Sequence, residues 1–201
     1  MNKKLAVLGL VTVLSLTTGC ATTGGSGNTP TANSAQLTMA DFDYLAEAVI
    51  GSLMRSPATK NPQGGRYVLV ISRITNETMQ RLDTDLIVKK VRVALLNAGL
   101  TTTTTSIGLS GPEDPMLNIV RDEVRGNAQF DQQGVPRDGE QLSPDLSLSG
   151  KIIQRNVDVS GSKQQAEFYV MLTLTSVTKG VAVWEGEVPL LKLVSRRNAA
   201  W

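Results

Sequence analysis

Residues 146–152 (LSLSGKI) and 166–175 (AEFYVMLTLT) decide the fold. In the first, Leu146, Leu148, Gly150 and Ile152 alternate with Ser147, Ser149 and Lys151. In the second, Ala166, Phe168, Val170, Leu172 and Leu174 alternate with Glu167, Tyr169, Met171, Thr173 and Thr175. A period of two sends successive side chains to opposite faces, so each stretch predicts a strand with one buried face. The first continues irregularly through Val157 and Val159 to a turn at residues 160–163. The second reaches the turn Thr178-Lys179-Gly180 and returns as Val181 to Val188, where Pro189 limits the strand and suits an edge. Turns this short join antiparallel neighbours, so the C-terminal third is a three-stranded meander.

Upstream the period changes. Thr38 and Asp41 fit an S/T-x-x-D capping pattern, and Phe42, Leu45, Ala46, Val49 and Leu53 follow at helical spacing as far as Ser56-Pro57. Residues 58–65 form a loop. The apolar run Tyr67 to Ile74 reads as a strand buried on both faces. A second amphipathic helix runs from Asp83 to Ala98 with Gly99 as its C-terminal stop. Thr101 to Thr105, five β-branched residues, predicts a short strand. Asp114-Pro115 opens a short helix to about Arg125, and residues 126–143 form a long polar loop. The order predicts an α/β fold: a single mixed or largely antiparallel sheet flanked by helices, ending in the three-stranded antiparallel meander.

Composition narrows the chemistry. The 201 residues include no histidine and one cysteine, Cys20. That excludes a Ser-His-Asp triad, a Cys-His dyad, His-based metal sites and an intrachain disulfide. Aromatics are 4%, too few for a stacking platform for single-stranded nucleic acid. Gly64-Gly65 lacks the Lys-Ser/Thr of a phosphate loop and precedes a strand. The expectation is therefore no catalytic residue, metal, cofactor, nucleic acid or small-molecule substrate.

Cys20 ends a distinctive segment. Lys3 and Lys4 precede an apolar stretch from Leu5 to Leu16, too short to span a bilayer, and Leu16-Thr17-Thr18-Gly19 leads to the cysteine. This resembles a bacterial lipoprotein signal peptide, although Thr17 stands where the motif favours leucine. The resemblance implies that Cys20 is acylated; a plain secretory signal followed by a chance cysteine is the alternative. Ala21, in place of Asp, implies sorting to the outer membrane. Taking Lys3 and Lys4 out of the 20 basic residues leaves 18 against 18 acidic ones, so the mature chain is formally neutral. The expected organisation is a signal peptide over residues 1–19, a lipidated Cys20 with a flexible tether over 20–37, and a globular domain over 38–201.

Three further stretches carry a resemblance: Ile71 to Thr78 with Asp83 and Asp85 beyond it, Pro144 to Ile152, and Val183-Trp184-Glu185-Gly186-Glu187. Together they resemble the penicillin-binding protein activator LpoB family from about Leu37 onward. The resemblance implies an outer-membrane lipoprotein facing the periplasm, held by its lipid anchor. Such a protein binds and stimulates a class A penicillin-binding protein, regulates peptidoglycan synthesis and has no chemistry of its own. The tether here has one proline and is short beside the long Pro-rich tethers of some relatives. The alternative function is a structural or accessory lipoprotein of an envelope assembly, such as a CsgG-like secretion or flagellar component. A distant third is a hydrolase using Asp41/Asp43, Asp83/Asp85 or Asp122/Glu123, but each pair lies at a helix start or on a polar face. Asn76-Glu77-Thr78 reads as an Asn-capped turn rather than a glycosylation sequon. Trp184 reads either as an interface anchor or as a core residue.

Overall fold

The turns after Ser160 and after Ser176 build the expected meander in a computed structural model that describes residues 35–109, 111–161 and 163–195. The signal segment, Cys20, the tether up to residue 34 and Trp201 lie outside the described residues. In chain order the elements are α1 (Met39–Arg55), β1 (Tyr67–Glu77), α2 (Thr84–Ala98), β2 (Thr101–Thr103), α3 (Met116–Ile119), β3 (Leu146–Ser160), β4 (Lys163–Ser176) and β5 (Val181–Ser195). They form one five-stranded mixed sheet in the order β2-β1-β3-β4-β5. β1 pairs in parallel with β2 and β3, and the other pairings are antiparallel. The predicted fold class holds.

The period of two places the core. Along β4 the residues Ala166, Phe168, Val170, Leu172 and Leu174 are buried, and their alternates are half-buried. Leu45, Val49 and Leu53 of α1 and Ile87, Val91 and Leu95 of α2 join the same cluster, so both helices cover one face of the sheet. Phe168 and Leu148 are wholly buried at its centre. Gly150 sits opposite Leu172 in β4, and a Cβ there would lie 2.3 Å from the Leu172 side chain and from the Met171 carbonyl. Close approach of the β4 backbone explains the glycine in an otherwise apolar row.

Several boundaries differ from expectation for identifiable reasons. β1 continues to Glu77 because β3 offers it a parallel partner as far as Ile153, and its burial is mixed rather than complete, with Arg73 exposed. β2 stops at Thr103, although the Thr104 amide still donates to the Leu69 carbonyl at 2.9 Å. β5 runs through Pro189 to Ser195, since an edge strand needs no donor on its outer side. After α3 the chain widens into a π turn at Val120–Val124, and neither piece has a buried residue. The long loop is organised by Gln132, whose amide donates to the carbonyls of Val124, Asn127 and Phe130 at 2.9–3.0 Å.

Helix ends follow the sequence signals. Thr38 and Asp41 form a reciprocal capping box on α1, Asp83 caps α2 through the Asp85 amide at 3.0 Å, and Gly99 ends α2 at φ 65°. Asp114 accepts from the Met116 amide at 3.0 Å, but Pro115 rather than Asp114 holds the N-cap position of α3.

Candidate functional site

Lys192 is the least expected side chain in the domain. It lies on β5 between Leu190 and Val194, on the helix-covered face, and is wholly buried. An ammonium there needs acceptors, because an unpaired buried charge is strongly disfavoured. It pairs with the Asp41 carboxylate of α1, which is 2% exposed, and donates to the Gln36 carbonyl at 2.5 Å. Asp41 also accepts from the Thr38 amide at 2.5 Å and the Thr38 hydroxyl at 2.7 Å. Burial pushes the Asp41 carboxyl up, but the hydrogen bonds from Lys192 and Thr38 and the Lys192 charge outweigh it, leaving it below its ordinary range.

The same corner binds the chain that enters the domain. Ala35 is buried in the core cluster, its carbonyl accepts from the Gln80 amide nitrogen at 3.0 Å, and the Leu37 amide donates to Gln80 Oε1 at 2.9 Å. Gln80 thus pairs with residues 35–37 as a neighbouring strand would. Its own position is set by the Asn76 turn: Asn76 donates to the Gln80 carbonyl at 2.7 Å and accepts from the Thr78 amide at 3.0 Å. The turn reading of Asn76-Glu77-Thr78 is the observed one. Nothing in the composition of residues 35–37 or around Lys192 signals this corner, because its members are far apart in sequence.

The other candidate groups have structural roles. Asp43 pairs with Lys90 across the exposed side of α1 and α2, and Asp122 pairs with Arg121 at the surface. The Arg121 guanidinium holds the Asp122 carboxyl below its ordinary range. Trp184 is half-buried, packs on the core cluster and lies against Gly186, where a Cβ would meet its ring at 2.4 Å. On the sheet face away from the helices, Glu167 accepts from Gln165 at 2.8 Å and from the Tyr169 hydroxyl at 3.0 Å, which pushes the phenol up. Among the described residues no group of three or more acidic or cysteine side chains is placed to hold a metal ion, and no helix is long and apolar enough to cross a membrane.

These features define a small α/β domain of one mixed sheet with helices on one face, carrying a buried Lys192–Asp41 ion pair where α1 meets β5. The family model for the peptidoglycan-synthase activator LpoB matches residues 41–190, and the chain belongs to that family. Among solved structures it is similar to the LpoB C-terminal domain from Escherichia coli, at 15% identity and TM-score 0.45, with 75% of this chain and 98% of that one covered. The LpoB C-terminal domain from Salmonella enterica matches with the same identity and coverage at TM-score 0.42. Lipoprotein GNA1162 from Neisseria meningitidis matches at 10% identity and TM-score 0.38, covering 67% of this chain and 87% of that one. No curated protein sequence matches.

Proposed function

We propose that this protein is a lipid-anchored regulator that binds a class A penicillin-binding protein and stimulates peptidoglycan synthesis by contact, without catalysis of its own. The observation that carries the reading is the match of residues 41–190 to the synthase-activator family. Signal cleavage leaves Cys20 as the first residue, acylated and held in the outer membrane, with the tether and domain on the periplasmic side. The firm seating of residues 35–37 supports this arrangement, since it gives the tether a defined exit from the domain.

The test mixes the purified full chain with each class A synthase of its host and measures glycan polymerisation and cross-linking. The expected result is faster synthesis with one of them and none in the absence of synthase. No binding and no stimulation with any synthase would sink the reading. Replacing Cys20 by Ser is expected to move the folded protein from the membrane to the soluble fraction; its retention in the membrane would contradict the anchor.

A further inference from the structure

β1 is flanked unequally. β3 accompanies it to Glu77, but β2 ends opposite Leu69. Within one strand, residues whose side chains share a face aim their N–H and C=O groups at the same edge. Leu69, Ile71 and Ile74 all point into the helix-covered core, and Asn76 is in register with Ile152, which points there too. The Leu69 carbonyl accepts from Thr104 on the β2 side, which fixes the edge in question. Ile71, Ile74 and Asn76 therefore present their amides and carbonyls along that edge, and among the described residues no backbone pairs with them there. A one-residue bulge between Ile71 and Ile74 keeps both side chains in the core.

Beside this edge runs a groove of about 740 Å³, bounded by Asp85 and Val88 of α2 and by Gly108, Leu109 and residues 111–113. Six residues of edge span ~20 Å, the length of an ordinary strand. At the rim Leu109 is an apolar side chain 66% exposed. Arg73 lines the groove, is exposed and forms no ion pair among the described residues, whereas Glu113 on the far wall is already held by Arg92.

We propose that this edge is where the synthase docks, by adding an extended segment as a sixth strand with an acidic side chain beside Arg73. The proposal rests on the function proposed above and names its surface. An extended peptide is the ligand that satisfies a row of strand amides and carbonyls. The charge selects among such peptides. A second copy pairing antiparallel through the same edge would bring Arg73 towards Arg73, a like-charge contact that disfavours self-pairing. An acidic residue there is favoured, and a hydrogen-bond donor suits Asp85 on the helix wall.

The experiment uses the full chain and the synthase that it stimulates. Amide hydrogen exchange is followed at residues 71–76 with and without synthase, and binding is measured for Arg73→Glu and Arg73→Lys, both checked for an unchanged melting temperature. The expected result is synthase-dependent protection at Ile71, Ile74 and Asn76. Arg73→Glu is expected to weaken binding about tenfold or more, and Arg73→Lys to stay close to the parent. Synthase binding with no change in exchange at 71–76 and no effect of Arg73→Glu overturns the proposal while leaving the stimulatory function standing. Protection of the chain alone that grows with its concentration assigns the edge to a second copy, and protection that disappears on deleting residues 21–34 assigns it to the tether. Either result also overturns it. If the parent chain binds no synthase at all, both readings fall together.

Discussion

Replacing Lys192 by Met removes the cation from the corner where α1, β5 and the entering chain meet. The methionine keeps the apolar stem among its neighbours, so the perturbation is chiefly electrostatic. It leaves the Asp41 carboxylate, 2% exposed, without its ammonium partner and the Gln36 carbonyl without the Lys192 donor. Removing one member of a buried pair costs about 3–5 kcal/mol. The two Thr38 hydrogen bonds persist and still stabilise the carboxylate, so the lower end, about 3 kcal/mol, is the expectation. For a domain of this size that is a fall in melting temperature of about 6–12 °C. The pH dependence has a definite sign. In the parent the folded Asp41 titrates below its ordinary value of 3.8, so its contribution is present above that pH and is lost as pH falls through the folded value. In the variant the Lys192 hydrogen bond and charge no longer offset burial, so the folded value moves up from the parent's and the stability that the parent gains from an ionised Asp41 at neutral pH is reduced. Urea unfolding at pH 7 and pH 4 measures both. The double variant Asp41→Asn with Lys192→Met, which leaves no charge behind, is expected to recover part of the loss. A Lys192→Met midpoint equal to the parent's at pH 7, with an unchanged slope, would refute the assignment of a buried ion pair.

Other outcomes follow from the same geometry. Gln80→Ala removes its two hydrogen bonds to Ala35 and Leu37 and leaves the one from Lys192 to Gln36, so the Leu37 amide is expected to exchange faster and limited proteolysis to begin nearer that point, with the sheet amides unaffected. Gly150→Ala drives a Cβ into the Met171 carbonyl and is expected to cost about 1–3 kcal/mol in a denaturant titration. Gly99→Ala forces a side chain into the left-handed region at φ 65° and is expected to destabilise by about 1 kcal/mol through strain rather than contact, because the nearest atoms to its Cβ are the flexible end of Arg66.

Patterns confined to a few residues were legible. Alternation along residues 166–175 located both β4 and its buried face, because a strand's side-chain period is a local property. The capping box at Thr38 and Asp41 and the stop at Gly99 were legible for the same reason. Pro189 marked β5 correctly as an edge, but its outer position lets the strand continue to Ser195. Asp41 was legible only as a cap. Its second partner is 151 positions along the chain, and no local pattern announces that Lys192 completes the buried row with Leu190 and Val194.

The division is one of range. The sequence by itself determined the class of the fold, the buried faces of β3 and β4, the ends of α1 and α2 and the resemblance to the activator family, since each depends on spacing within a short window. Only the tertiary structure decided that β2 stops short and leaves the edge of β1 open, that Arg73 lies beside that edge, and that Gln80 and Lys192 secure residues 35–37. Those features depend on which distant backbones run side by side, and strand pairing and charge burial are settled by the packing of the whole sheet rather than by any one stretch of it.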